Sequence, residues 1–141
     1  MSDEWYTPKE LFDQMEGAFH LDVCAPKTGI PWIPAIKWYS IEDDGLAQPW
    51  SGRVWMNPPY SKPSPWVDKW LEHGNGIALL PMAKSKWFNK LMDSQASFIV
   101  LPSTFKFESP DGKKLSLMMG STLWAIGESN VKMISKLGRV R

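Results

Sequence analysis

Short apolar runs alternating with amphipathic stretches predict an α/β fold, a mostly parallel central sheet flanked by helices. Three observations carry that prediction. Gly76-Ile77-Ala78-Leu79-Leu80-Pro81 is apolar throughout, the pattern of a strand covered on both faces. Trp66, Val67, Trp70 and Leu71 recur at helical spacing just before it. Val54-Trp55-Met56 precedes that helix as a second buried run, so strand, helix and strand follow one another as in a parallel crossover unit. The 141 residues fit one domain, 1–141, with enough chain to bury a core.

Taken in order, residues 1–6 are polar and expected to fray, apart from Trp5 and Tyr6. Thr7-Pro8-Lys9-Glu10 reads as a helix start, with Thr7 as N-cap, Pro8 at N1 and Glu10 closing a capping box. Leu11, Phe12 and Met15 then share one face of a helix over 8–16 that Gly17 stops. Phe19-His20-Leu21-Asp22-Val23-Cys24-Ala25 reads as a strand, and Asp22 stands out inside it. A buried carboxylate is expensive unless paired, so it either meets a ligand cation or amine or caps the following loop.

Residues 26–40 hold three prolines and a glycine, giving a loop with one short strand near 36–39. Glu42-Asp43-Asp44-Gly45 is an acidic turn. It is either a solvated charge run or, through Asp43 or Asp44, a partner for the amine or ribose hydroxyls of a nucleoside. Beyond the helix over 64–73 and the strand at 76–81, residues 84–92 carry three lysines on a further helix, and 97–102 form another buried strand. Ser109-Pro110-Asp111-Gly112 is a turn. Leu117–Met119 with Ser121–Ile126 read as a hairpin or one bent strand, and Val131–Leu137 as a last helix.

The chemistry is concentrated after Val54-Trp55-Met56, where the chain reads Asn57-Pro58-Pro59-Tyr60. Ligands of open α/β sheets bind at the carboxyl ends of strands. The prolines fix φ and hold the residues before them extended, so Asn57 and Pro58 have little freedom. Asn57 Oδ1 and the Pro58 carbonyl can each accept one N–H of a planar amine, and the Tyr60 ring can stack on its heterocycle. That arrangement suits methyl transfer to an exocyclic amino group, a nucleophile whose lone pair is delocalised into its ring. Positioning and preorganised electrostatics are the tools required.

Net charge is +1, so any contact with nucleic acid must come from a local patch. Lys62, Lys84 and Lys86 follow the expected strand ends and, with Lys106 in Phe105-Lys106-Phe107, form the candidate DNA-binding set, to which Arg139 and Arg141 can add. One cysteine, Cys24, excludes an internal disulfide and a Cys-rich zinc site. The absence of a signal-peptide pattern and of a membrane-length apolar run points to the cytoplasm and no membrane partner. Nine tryptophans suit core and rim packing and also a surface that handles bases.

Asn57-Pro58-Pro59-Tyr60 resembles the catalytic motif of S-adenosylmethionine-dependent amino methyltransferases, both adenine-N6 and glutamine-N5 enzymes. The chain as a whole resembles the small phage-type Dam-like DNA adenine-N6 methyltransferases. The matching pieces are Trp5-Tyr6-Thr7-Pro8, Leu21-Asp22-Val23-Cys24-Ala25, 42–47, 50–60, 78–81, Trp87-Phe88 and Phe105-Lys106-Phe107, in the family's order. The resemblance implies a reduced Rossmann-like domain without a separate target-recognition domain. It implies S-adenosylmethionine as cofactor, bordered by Tyr6, Thr7, Pro8, Asp22, Val23, Cys24, Ala25 and Asn57. Asp22 would face the methionine amino group, and Asp44, with Asp43 beside it, the adenosine. Asn57, Pro58, Pro59 and Tyr60 would hold an adenine flipped from duplex DNA. A monomer or homodimer is expected. Two departures stand out. A glycine-rich loop after the first strand is replaced by Ala25-Pro26-Lys27-Thr28-Gly29, and an arginine-containing turn before Phe105 by Pro102-Ser103-Thr104. The alternatives are a non-catalytic DNA- or cofactor-binding relative and a protein glutamine-N5 methyltransferase.

Overall fold

The computed structural model of the protein describes residues 5–117 and 119–141. The expected fraying at 1–4 and the part of the expected hairpin that falls on Met118 lie outside the described residues. In chain order the elements are α1 (Lys9–Met15), β1 (Phe19–Ala25), β2 (Ala35–Ser40), β3 (Val54–Met56), α2 (Ser64–His73), β4 (Gly76–Pro81), α3 (Lys86–Met92), β5 (Ser97–Val100), β6 (Phe107–Glu108), β7 (Lys114–Leu115), β8 (Ser121–Ile126) and α4 (Glu128–Ser135).

Six strands form one mixed sheet in the order β2-β1-β3-β4-β8-β5. β2, β1, β3 and β4 pair in parallel. β8 runs antiparallel to both β4 and β5, so β5 points the same way as the first four. The carboxyl ends of five strands therefore share one edge. β1 sends the chain to β2 on one side, while β3 sends it to β4 on the other. The connections thus diverge at the β1–β3 boundary, a topological switch point of the kind where open α/β sheets bind ligands.

Alternation along the strands builds two cores. Trp55, Ile77, Leu79, Leu123 and Ala125 face α1 and α4, which contribute Leu11, Phe12, Met15, Met133 and Ile134. Val54, Met56, Ala78, Leu80 and Trp124 face α2 and α3, which contribute Val67, Trp70, Phe88 and Leu91. The unbroken apolar run of β4 is explained by this double coverage. Gly76 is needed at its start, because a Cβ there would stand 2.5 Å from the Val54 carbonyl oxygen. No helix among the described residues is long and apolar enough to cross a membrane.

Three expectations need correction. Thr7 caps nothing: Pro8 occupies the N-cap of α1 without a side-chain cap bond, and the helix ends on Glu16 in the left-handed region, one residue before Gly17. The hairpin lies at β6–β7, around the Ser109–Gly112 turn, and not at 117–126. Gly120, at φ 84°, turns the chain into β8, which inserts between two strands distant in sequence. α4 begins at Glu128, earlier than its apolar pattern suggests. Asn130 is a fully buried member of the helix, and its Nδ2 donates to Asn75 Oδ1 (2.7 Å) and to the Ile126 carbonyl (2.8 Å).

Candidate active site

β1 and β3 deliver Asp22 and Asn57 to the two sides of the switch point. Asp22 sits in register with Trp38 on β2 and Trp55 on β3. It is 3 % exposed, and among the described residues its Oδ1 accepts one hydrogen bond, from the Cys24 N–H at 3.2 Å. Among the described residues no lysine or arginine forms an ion pair with it. Burial outweighs the one hydrogen bond and pushes its carboxyl up to about 7. Val23 and Ala25 are buried beside it, and Cys24 is half-buried.

Asn57 follows directly on β3. Its Nδ2 donates to Thr7 Oγ1 at 3.4 Å. Thr7 is fully buried, and its carbonyl accepts the Trp32 indole N–H at 2.7 Å. The segment before α1 is thereby fixed at both ends of one residue. The Thr7 hydroxyl that the sequence assigns to a helix cap instead holds the Asn57 amide. With Nδ2 so engaged, Asn57 Oδ1 accepts no hydrogen bond among the described residues, and neither does the Pro58 carbonyl. The Pro59 carbonyl, by contrast, takes the Lys62 N–H at 3.2 Å. Two acceptors on a rigid turn are thus left for a ligand.

Tyr60 is held at both ends. Its hydroxyl donates to the Leu79 carbonyl at 3.0 Å, and its ring meets Phe107 edge-on at 6.1 Å. Burial keeps the phenol well above its ordinary range. Phe107 in turn meets Phe105 edge-on at 5.1 Å, so the Phe105-Lys106-Phe107 segment packs behind the Asn57–Tyr60 turn. Tyr6 pairs its backbone with Glu108 and lays its ring against Trp32 at 6.0 Å. Pro8 adjoins it at the start of α1.

The acidic turn after β2 closes onto the end of β1. A Cβ on Gly45 would lie 2.1 Å from the Val23 carbonyl oxygen, so only glycine permits this approach. Asp43 Oδ2 accepts the Ser40 N–H (2.9 Å) and hydroxyl (3.2 Å), which makes it the brace of the turn. Asp44 is exposed at φ 54° and has no side-chain partner among the described residues. Lys62, Lys84, Lys86 and Lys106 are all exposed. Lys62, Lys84 and Lys106 stand in the loops leaving β3, β4 and β5, and Lys86 opens α3.

Sequence reasoning missed Thr7 as the holder of Asn57, Trp32 as the holder of Thr7, and Gly45 as the point of closure. A tryptophan in the Pro31–Pro34 loop and a glycine after three acids were the available signals.

A family model described as DNA N-6-adenine-methyltransferase (Dam) matches residues 1–118. A protein of Escherichia phage T1 named DNA N-6-adenine-methyltransferase is 32% identical over 144 residues, covering 91% of this chain and 59% of that protein. One of Haemophilus phage HP1 with the same name is 27% identical over 113 residues, covering 72% of this chain and 64% of that protein. The chain thus spans less than two thirds of the length of these relatives. No solved structure matches it.

Proposed function

Because this chain belongs to the DNA N-6-adenine-methyltransferase (Dam) family, we propose that it transfers a methyl group from S-adenosylmethionine to N6 of an adenine flipped out of duplex DNA. The observation that carries the reading is the pair of free acceptors, Asn57 Oδ1 and the Pro58 carbonyl, across the switch point from a buried carboxylate without a cation. A Rossmann-like reading of the domain is supported by the diverging connections at β1–β3. The relatives are phage proteins, and the reaction belongs where the DNA is, in the cytoplasm of the host cell.

The residues at hand fit the cofactor. Asp22 is a buried carboxylate without a cationic partner among the described residues, suited to an ammonium group, and its proton would leave as the cation arrives. Asp44, on the turn that Gly45 seats against β1, is suited to ribose hydroxyls or an adenine amine. Tyr6, Thr7 and Pro8 close the side facing α1. S-adenosylmethionine supplies an electrophilic methyl on sulfonium. The rest is the work of the chain. Asn57 and Pro58 accept the two N–H groups of the target amine, aim its lone pair, and stabilise the positive charge that builds on nitrogen. Thr7 keeps the Asn57 amide turned the right way round. Tyr60, fixed through Leu79 and Phe107, offers a rigid ring for the base to stack on. Extrusion of the base is required because N6 is stacked and paired in the duplex.

The test is incubation with tritium-methyl-labelled S-adenosylmethionine and plasmid DNA, with digestion to nucleosides. Label in N6-methyladenine is expected. Label in protein alone means a glutamine-N5 enzyme, and cofactor binding without any transfer means a binding relative.

A further inference from the structure

Between α1 and the loop that follows β5 lies a cleft of about 350 Å³. Its floor is apolar: Leu11 is 4 % exposed and Leu101 6 %. Glu10 and Gln14 line it from α1, one turn apart and therefore on one face of the helix. Thr104 and Lys106 line it from the loop. Among the described residues none of these four side chains has a hydrogen bond or ion pair, although other charges on the surface do, Lys9 with Asp13 for one. A small apolar floor ringed by a few convergent polar groups is the ordinary form of a small-ligand site, and this volume is at the low end for one. It suits a single base better than a whole cofactor.

The cleft is coupled to the proposed catalytic turn. Phe105 lines it and touches Phe107, which touches Tyr60, through ring contacts of 5.1 and 6.1 Å. The two contacts set the cleft within about three 3.4 Å base steps of the Tyr60 ring, the scale on which neighbouring bases lie along a strand. We propose that this cleft reads the DNA sequence: it meets the major-groove edge of a base near the target through Glu10 and Gln14 and the adjoining phosphate through Lys106. This rests on the methyl-transfer reading above. Glu10 is an acceptor only, so it favours a base edge bearing an exocyclic amine in the major groove, cytosine N4 or adenine N6, over thymine or guanine. Gln14 can add an amide contact of either sense. Lys106 carries no sequence information and adds affinity to all sites alike.

The experiment uses duplexes with a fixed adenine and randomised flanks. Two readouts are taken on wild type, Glu10→Ala and Lys106→Ala: the sequences enriched by binding, and the sequences methylated. Wild type should prefer cytosine or adenine at one position within about three steps of the target. Glu10→Ala should relax that preference by about 5-fold or more and leave the other positions alone. Lys106→Ala should weaken every sequence equally. The same preference in wild type and Glu10→Ala, or no flanking preference in wild type, overturns the proposal. Enrichment that behaves as expected without any methylation would sink the transfer reading and leave this one standing. Methylation with an unchanged pattern in Glu10→Ala would do the reverse.

Discussion

Asp22 is the residue whose ionisation should be visible from outside. Its carboxyl has an ordinary value of 3.8 and is raised to about 7 in the fold, chiefly by burial. A raised carboxyl means that the ligand-free fold favours the protonated form. The stability it confers is complete below about 3.8 and is lost as pH rises through about 7. Asp22→Asn should therefore melt higher than wild type at pH 8, with the gap closing towards pH 4. Equal melting temperatures at both values would show that the carboxylate is compensated in the free protein. A cationic cofactor group reverses the balance, so affinity for S-adenosylmethionine should fall in wild type as pH drops below 7, and calorimetry should find proton release on binding. Asn57 and Thr7 make a second test. Asn57→Ala should lower turnover by at least ~10², the scale of one preorganised polar contact. Thr7→Val keeps the shape and removes the acceptor that holds the Asn57 amide. A loss of ~3–10-fold is expected, the value of one hydrogen bond, with Thr7→Ser close to wild type. If Thr7→Val turns over like wild type, the 3.4 Å contact does not position Asn57. Asp22 was legible because a lone acid inside an apolar strand has few explanations. Thr7 was not. Thr-Pro-Lys-Glu satisfies a capping box on local spacing, and its actual partner arrives from 50 residues away.

At the scale of elements, β1, β4 and α2 fall where their patterns predict, because each is decided by its own composition: a covered strand is apolar on both faces, and a helix repeats every 3.6 residues. Elements decided by distant neighbours were misread. Residues 117–126 carry two apolar runs around Gly120 and read locally as a hairpin or one bent strand, yet β8 finds both of its partners, β4 and β5, elsewhere in the chain. β6 and β7 are two residues each, too short to show a period, and the backbone pairing of Tyr6 with Glu108 helps to anchor them. The turn after β2 gives the sharpest test at this scale. Gly45 has no positive φ, so alanine there is unstrained. Its Cβ simply meets the Val23 carbonyl oxygen at 2.1 Å and the Trp66 ring at 3.2 Å. Gly45→Ala must push the Asp43–Asp44 turn off the end of β1. It should cost about 1–3 kcal/mol of stability, as overpacking does, and should weaken cofactor binding beyond any loss of folded protein. Thermal unfolding and calorimetry on the same samples separate the two effects. A destabilised variant with normal cofactor affinity would remove Asp44 from the site.

Over the whole molecule the charges nearly cancel, at +1. The fold sorts them. Lys9, Lys27, Lys90, Lys113, Lys114 and Lys136 each stand against an Asp or Glu. Lys62, Lys84, Lys86 and Lys106 have no ion pair among the described residues. Three of them leave the carboxyl ends of β3, β4 and β5, on the edge that also carries Asn57. With five strands pointing one way, these loops make up the proposed DNA-facing rim beside the proposed catalytic turn. If that rim meets the DNA backbone, each lysine that touches a phosphate releases a counterion, and log K falls with log salt by about 0.9 per contact. Replacing Lys62 and Lys84 by alanine together should weaken binding to all sequences alike and flatten the salt slope by about 1.8. Replacing Lys9 and Lys90, whose charges are already paired with Asp13 and Asp68, should leave the slope as it is. The measurement is duplex affinity titrated from low to high salt for the three proteins. Parallel lines of equal affinity for wild type and the Lys62, Lys84 variant would place the DNA on another face, and the catalytic edge could then not be where the strand carries its adenine.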